Sequence, residues 1–83
     1  MYTEEQYKKH IFDLQRFLRR IQLAANHAAP LVPDGVYGPE TNAAVREFQR
    51  MNDLPVTGTA DYETWTLIYQ QYTRLAAGEG ADT

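Results

Sequence analysis

The sequence predicts an all-α fold: a compact three-helix domain with a long first helix and two turn–helix pseudo-repeats. Three observations predict it. Apolar residues near the N-terminus recur at alternating spacings of four and three. Two glycine turns, at Gly35 and Gly58, each lead into Glu-Thr and a further helical run. And 83 residues can bury one modest core and little more.

The first helix is expected from about Thr3 to about Asn26. Thr3 can cap it, and Gln6 stands at the capping-box position. Glu4 and Glu5 suit the positive end of the helix dipole. Tyr7, Ile11, Leu14, Leu18, Ile21 and Ala25 then form one apolar stripe, with Phe12, Phe17 and Leu23 beside it. Pro30, Pro33, Gly35 and Gly38 break any continuing helix. The segment is a partly apolar loop, and Leu31, Val32 and Val36 are expected to tuck into the core.

A second helix is expected to start at Pro39, because proline is favoured at the first helical position. Ala44, Val45, Phe48 and Met51 supply its buried face, and Leu54 follows. Asn52 and Asp53 end it, and Pro55 prevents its resumption. A third helix follows Gly58, capped by Asp61, with Trp65, Leu67, Ile68 and Tyr72 facing inward. These elements define a domain over residues 1–77 and a flexible tail over 78–83, where Gly-Glu-Gly is small and polar.

The corner "PDGVYGPET" recurs. With Gly35 set on Gly58, 23 positions later, Gly38 meets Asp61, Glu40 meets Glu63, Thr41 meets Thr64, Ala44 meets Leu67 and Val45 meets Ile68. Two similar turn–helix units stacked on one long helix account for this.

Composition excludes several functions. A net charge of -3 leaves no basic excess to neutralise phosphates, so no nucleic-acid partner is expected. Arg16, Arg19 and Arg20 read as a solvated helix face. With no cysteine, disulfides and Cys-based zinc sites are excluded; with no serine, so are serine nucleophiles. His10 and His27 have no companion ligand motif, so no metal and no cofactor are expected. Asp34-Gly35 lacks the further oxygen ligands of an EF-hand. The acids fall at helix starts or on polar faces, not as an opposed pair across a cleft, so the chain does not read as an enzyme. No apolar run is long enough to span a bilayer, and no membrane partner is expected. The opening residues lack the apolar core of a signal peptide. The chain is expected to act where it is made, or to be a piece of a longer exported protein.

The motifs Leu14-Gln15, Asp34-Gly35, Gly38, Thr41, Phe48-Gln49, Leu54-Pro55, Gly58 and Thr64-Trp65 resemble, in order and spacing, the small three-helix peptidoglycan-binding domain of bacterial and phage cell-wall hydrolases. The resemblance covers about Ile11 to Tyr69. One departure is Ala60, where the family usually carries leucine or valine. The resemblance implies a non-catalytic, monomeric module that binds peptidoglycan stem peptide or glycan and targets a fused or associated hydrolase to the wall. In a longer exported protein or phage lysin its place would be the cell wall. The alternative is a protein–protein interaction or assembly domain on the same fold. A helix–turn–helix DNA binder is a remote third, because no basic recognition helix is present.

Within that reading the ligand-binding residues are Asp34, Tyr37, Gly38, Thr41, Asn42 and Arg46. A helix start without a capping side chain, at Gly38, offers N–H groups to a stem-peptide carboxylate. Tyr37 can pack on a sugar or peptide while its hydroxyl hydrogen-bonds. Thr41 and Asn42 add polar contacts, and Arg46 can meet a carboxylate. Structural readings stand beside these. Asp34 can pin its own loop, Thr41 is repeated by Thr64, and Tyr37 serves either role. Trp65 reads as core rather than as a sugar platform.

Overall fold

The computed structural model describes residues 3–80, with side chains described as far as residue 78. They form α1 (Glu4–Ala24), α2 (Pro39–Met51) and α3 (Tyr62–Gly80), with no strand among the described residues. The fold is therefore all-α, as expected. α1 packs on both other helices, and the Cα radius of gyration is 12.7 Å.

Local chemistry sets the helix ends. The Thr3 hydroxyl accepts from the Gln6 N–H at 3.1 Å, and the Gln6 side chain accepts from the Thr3 N–H at 2.9 Å, closing a capping box. α1 ends with Asn26 in the left-handed region, where the His27 N–H donates to the Gln22 carbonyl at 2.9 Å. α2 ends the same way: Asp53 is left-handed and the Leu54 N–H donates to the Gln49 carbonyl at 2.9 Å. Both are Schellman endings built without glycine. At the start of α3 the Asp61 carboxylate accepts from the Thr64 N–H at 3.0 Å. α3 runs to Gly80, past the boundary expected at residue 77; residues 81–83 of the expected tail lie outside the described residues.

The core joins Leu14, Phe17 and Leu18 of α1, Leu31 of the first loop, Ala44, Val45 and Phe48 of α2, and Ile68 of α3. Several expected core residues are outside it, Tyr7 and Ala25 of the α1 stripe among them. Val32 is 69% exposed and Val36 57%, because this loop turns its backbone inward and its side chains outward. Beside buried Leu31, extended chain sends Val32 the opposite way. Met51 is 66% exposed. The buried arc of α2 runs through Thr41, Ala44, Val45, Phe48 and Gln49, and Met51, in the last turn, lies just outside its Ala44 edge. Trp65 is half-buried rather than core, packed at the α1–α3 edge with its ring centroid 4.7 Å from His10 and 5.6 Å from Phe17.

Candidate functional site

Two buried glutamines shape the two turns. Gln15 is 1% exposed and Gln49 is fully buried. The Gln15 Oε1 accepts from the N–H groups of Asp34 and Gly35 at 2.9 and 2.8 Å. Its Nε2 donates toward Asp34 Oδ1, the Val36 carbonyl and Thr41 Oγ1 at 2.9–3.0 Å. Gln49 repeats this around the second turn. Its Oε1 accepts from Thr57 and Gly58 N–H at 2.9 and 3.0 Å, and its Nε2 donates toward Thr57 Oγ1, the Thr59 carbonyl and Thr64 Oγ1 at 3.0–3.1 Å. A primary amide can do this because it carries two acceptor lone pairs and two N–H donors on one rigid plane, one N–H being shared between two of the three oxygens. The pseudo-repeat is therefore a repeat of amide cages, in which Thr57 stands where Asp34 stands. The glycines serve the same geometry: Gly35 and Gly58 have φ of 79° and 78°.

The cages fix the roles of two predicted site residues. Asp34 Oδ1 accepts from Gln15 Nε2 and, at 2.9 Å, from the Val36 N–H. The Val36 N–H first, and the Gln15 amide second, hold the Asp34 carboxyl below the usual carboxylate range. Asp34 thus pins its own loop while staying exposed. Thr41 is 2% exposed and belongs to the cage.

Tyr37, Asn42 and Arg46 form a second group. The Tyr37 hydroxyl donates to the Gly58 carbonyl. Asn42 Nδ2 donates to the same oxygen at 3.1 Å. Arg46 Nε donates to Asn42 Oδ1 at 3.1 Å. Burial, with the nearby Tyr7 phenol adding to it, pushes the Tyr37 hydroxyl's pKa up. These three side chains strap the first corner to the second turn. Gly38 precedes α2 with no side-chain cap, as expected, and Glu40 lies in that first turn.

A groove of about 600 Å³ opens beside the corner, between the loop after α1 and the exposed flank of α2. Its volume is within the roughly 300–1,000 Å³ of small-ligand sites. Asp34 and Thr41 line it; Tyr37, Gly38, Asn42 and Arg46 do not. The structure therefore splits the predicted residues, two at the groove and three in the strap, with Gly38 between them. Glu47 and, as a site residue, His27 were not singled out from sequence, and Glu40 was noted in the repeat but not as a ligand contact. The His27 Nδ1 accepts from the Ala29 N–H at 3.1 Å, and its Nε2 lies 3.5 Å from Glu47 Oε1, joining loop to helix. The available signal was the spacing of residues 40, 43 and 47, which puts them on one helix face.

A family model described as "Putative peptidoglycan binding domain" matches residues 9–68, most of the chain. The chain belongs to the peptidoglycan-binding domain family. The part matched to the peptidoglycan-binding domain contains both amide cages, the strap and every residue lining the groove. A domain of this family is a binding unit and is not catalytic in itself. The chain is also 44% identical over 45 residues to the "Putative OxPP cycle protein OpcA" of Nostoc punctiforme (strain ATCC 29133 / PCC 73102). That match takes in 54% of this chain and 10% of the relative, so it spans about a tenth of that protein. No solved structure gives a significant match. No helix among the described residues is long and apolar enough to cross a membrane.

Proposed function

We propose that the chain binds peptidoglycan in the groove between the loop after α1 and α2, and that it holds an attached or associated cell-wall hydrolase against its substrate. The observation that carries the reading is the groove's position. It lies inside the segment matched to the family and opens beside the corner whose shape Gln15 sets. Asp34 and Glu40 meet the ligand from the corner, and the Gly38 end of α2 lies beside them. Thr41, Tyr37, Asn42 and Arg46 act from behind by holding the corner in place. Catalysis, where it occurs, belongs to other domains. A single shallow site binds weakly, and attachment to a second wall-binding unit supplies avidity.

Co-sedimentation with purified sacculi tests this, followed by amide chemical shifts with soluble muropeptides. Retention is expected, with perturbations centred on residues 34–47. A protein left in the supernatant at every concentration overturns the reading. The second reading, a protein-assembly domain, is favoured by one observation: the Nostoc relative's name refers to the OxPP cycle rather than to the wall. Loss of sacculus binding would leave that one standing.

A further inference from the structure

The charges that face the groove have one sign. Asp34 lies at one end, Glu40 in the first turn of α2, and Glu47 two turns along the same face. Among the described residues no lysine or arginine lines the groove. The basic groups nearest in the fold are turned to other tasks. Arg19 Nη1 donates to the Leu31 carbonyl at 3.0 Å. Arg46 bonds Asn42 on the flank of α2 that faces the second turn. Lys8 lies against Gly35.

Between the carboxylates the groove is aliphatic, with Ala29, Pro30 and Val32 on the loop side and Ala43 on the helix side. Its polar floor is already satisfied. The Gln22 Oε1 accepts from the Leu31 N–H at 2.7 Å, Gln15 and Thr41 are closed within their cage, and among the described residues no buried side-chain N or O lacks a partner. The acidic rim has no lysine or arginine beside it in the groove: Glu47 meets His27 at 3.5 Å, Asp34 Oδ1 accepts from the Gln15 amide and the Val36 N–H, and Glu40 is exposed. The carboxylate of a stem peptide would meet repulsion here, so the anion-binding role expected of the Gly38 end does not suit the groove.

We infer that the groove takes the aliphatic, amine-bearing side chain of a diamino acid in the stem peptide, with its ammonium at the corner end of the acidic rim, at Glu40 and Asp34, and Glu47 adding negative potential further along. This rests on the peptidoglycan reading above and narrows it. The methylenes of such a side chain lie along Ala29, Pro30, Val32 and Ala43, and the ammonium donates to carboxylates. Cross-linking turns that amine into an amide and removes its charge. The groove therefore selects wall strands whose diamino acid is not cross-linked.

The test compares three forms of one preparation of sacculi: untreated, with amines acetylated by acetic anhydride, and with carboxyls amidated. Acetylation is expected to weaken retention about tenfold or more, as loss of a charge-assisted contact requires, while amidation leaves it intact. Glu40→Gln is expected to weaken binding to untreated sacculi, and Glu40→Gln with Glu47→Gln further, with far-UV circular dichroism and melting temperature close to the parent's. The exposed Glu40 single variant keeps the test valid if removing the Glu47 contact with His27 disturbs the loop. Equal retention on acetylated and untreated sacculi overturns the amine assignment and leaves peptidoglycan binding standing. Loss of retention on amidation alone also overturns it, in favour of an anion. Absence of retention on all three overturns both readings.

Discussion

Gln49 holds Thr57, Gly58, Thr59 and Thr64 with the same two amide atoms with which Gln15 holds Asp34, Gly35, Val36 and Thr41. Each cage satisfies backbone groups that a turn drawn into the core would otherwise leave without water or partner.

Removing one amide should therefore cost far more than a hydrogen bond on the surface. Gln49→Leu is close in volume but leaves the Thr57 and Gly58 N–H groups and the Thr64 hydroxyl without the amide, whereas the Thr57 hydroxyl keeps its bonds to the Thr59 N–H and carbonyl. A loss of about 3 kcal/mol or more is expected in urea unfolding, and Gln15→Leu should cost a similar amount. A change below about 1 kcal/mol in either would show that water replaces the amide.

The two positive-φ glycines should differ in tolerance. A Cβ on Gly58 would stand 2.5 Å from Asn42 Nδ2, whereas on Gly35 its nearest neighbour is the flexible Lys8 stem at 3.2 Å. Both substitutions to alanine suffer the left-handed backbone, about 1–2 kcal/mol. Gly58→Ala should lose more, because Asn42 must also leave the Gly58 carbonyl. In a thermal-melt cycle, Asn42→Ala should remove that excess from Gly58→Ala and leave Gly35→Ala unaffected.

Tyr37→Phe separates strap from ligand contact. It removes the hydroxyl donated to the Gly58 carbonyl but keeps the ring, which packs against the core. A destabilisation of about 1 kcal/mol is expected, with sacculus binding unchanged at temperatures where the variant is folded. Weakened binding without a change in melting temperature would instead put the hydroxyl on the ligand.

Acid should unfold the protein through the turns. Asp34 is held below the usual carboxylate range first by the Val36 N–H, and Asp61 by the N–H and hydroxyl of Thr64. Both folded pKa values lie below the unfolded one near 3.9, so the unfolded chain binds protons first as pH falls. The stabilisation is complete above about pH 5 and is lost as pH drops through the folded values. Asp34→Asn with Asp61→Asn should flatten that acid limb in melts from pH 6 to pH 2.5. An unchanged limb would assign it to other carboxylates.

The helices were legible in sequence because their ends are local. Thr3 with Gln6, Pro39 after Gly38, and Asp61 before Thr64 each state a boundary within four residues. The repeat was legible in its glycines and threonines. Its cause was not, because periodicity treats glutamine as a solvent-facing residue. Counting Gln49 as polar also rotated the inferred face of α2 toward Met51, which is exposed. Val32 and Val36 misled in a related way: the loop is anchored through main-chain atoms, for which apolar side chains carry no signal. At the candidate site, Asp34 and Thr41 were found through the family pattern, whereas Glu40 was read only as part of the recurring Glu-Thr corner and Glu47 was not singled out. Only the placement of the loop opposite them makes a groove.

Gln15 reaches Gly35 across 20 residues of chain, while Gln49 reaches Gly58 across 9. The longer connection carries Ala29, Pro30 and Val32, and the groove lies where it passes α2. Most of that extra length lies outside the amide cage. Residues 29, 30 and 32 of that connection can therefore be exchanged while both cages keep their bonds, with buried Leu31 as its anchor. The domain thus separates the chassis that holds its shape from the short segment that lines its groove, so the lining can be rewritten without asking the fold to be reinvented.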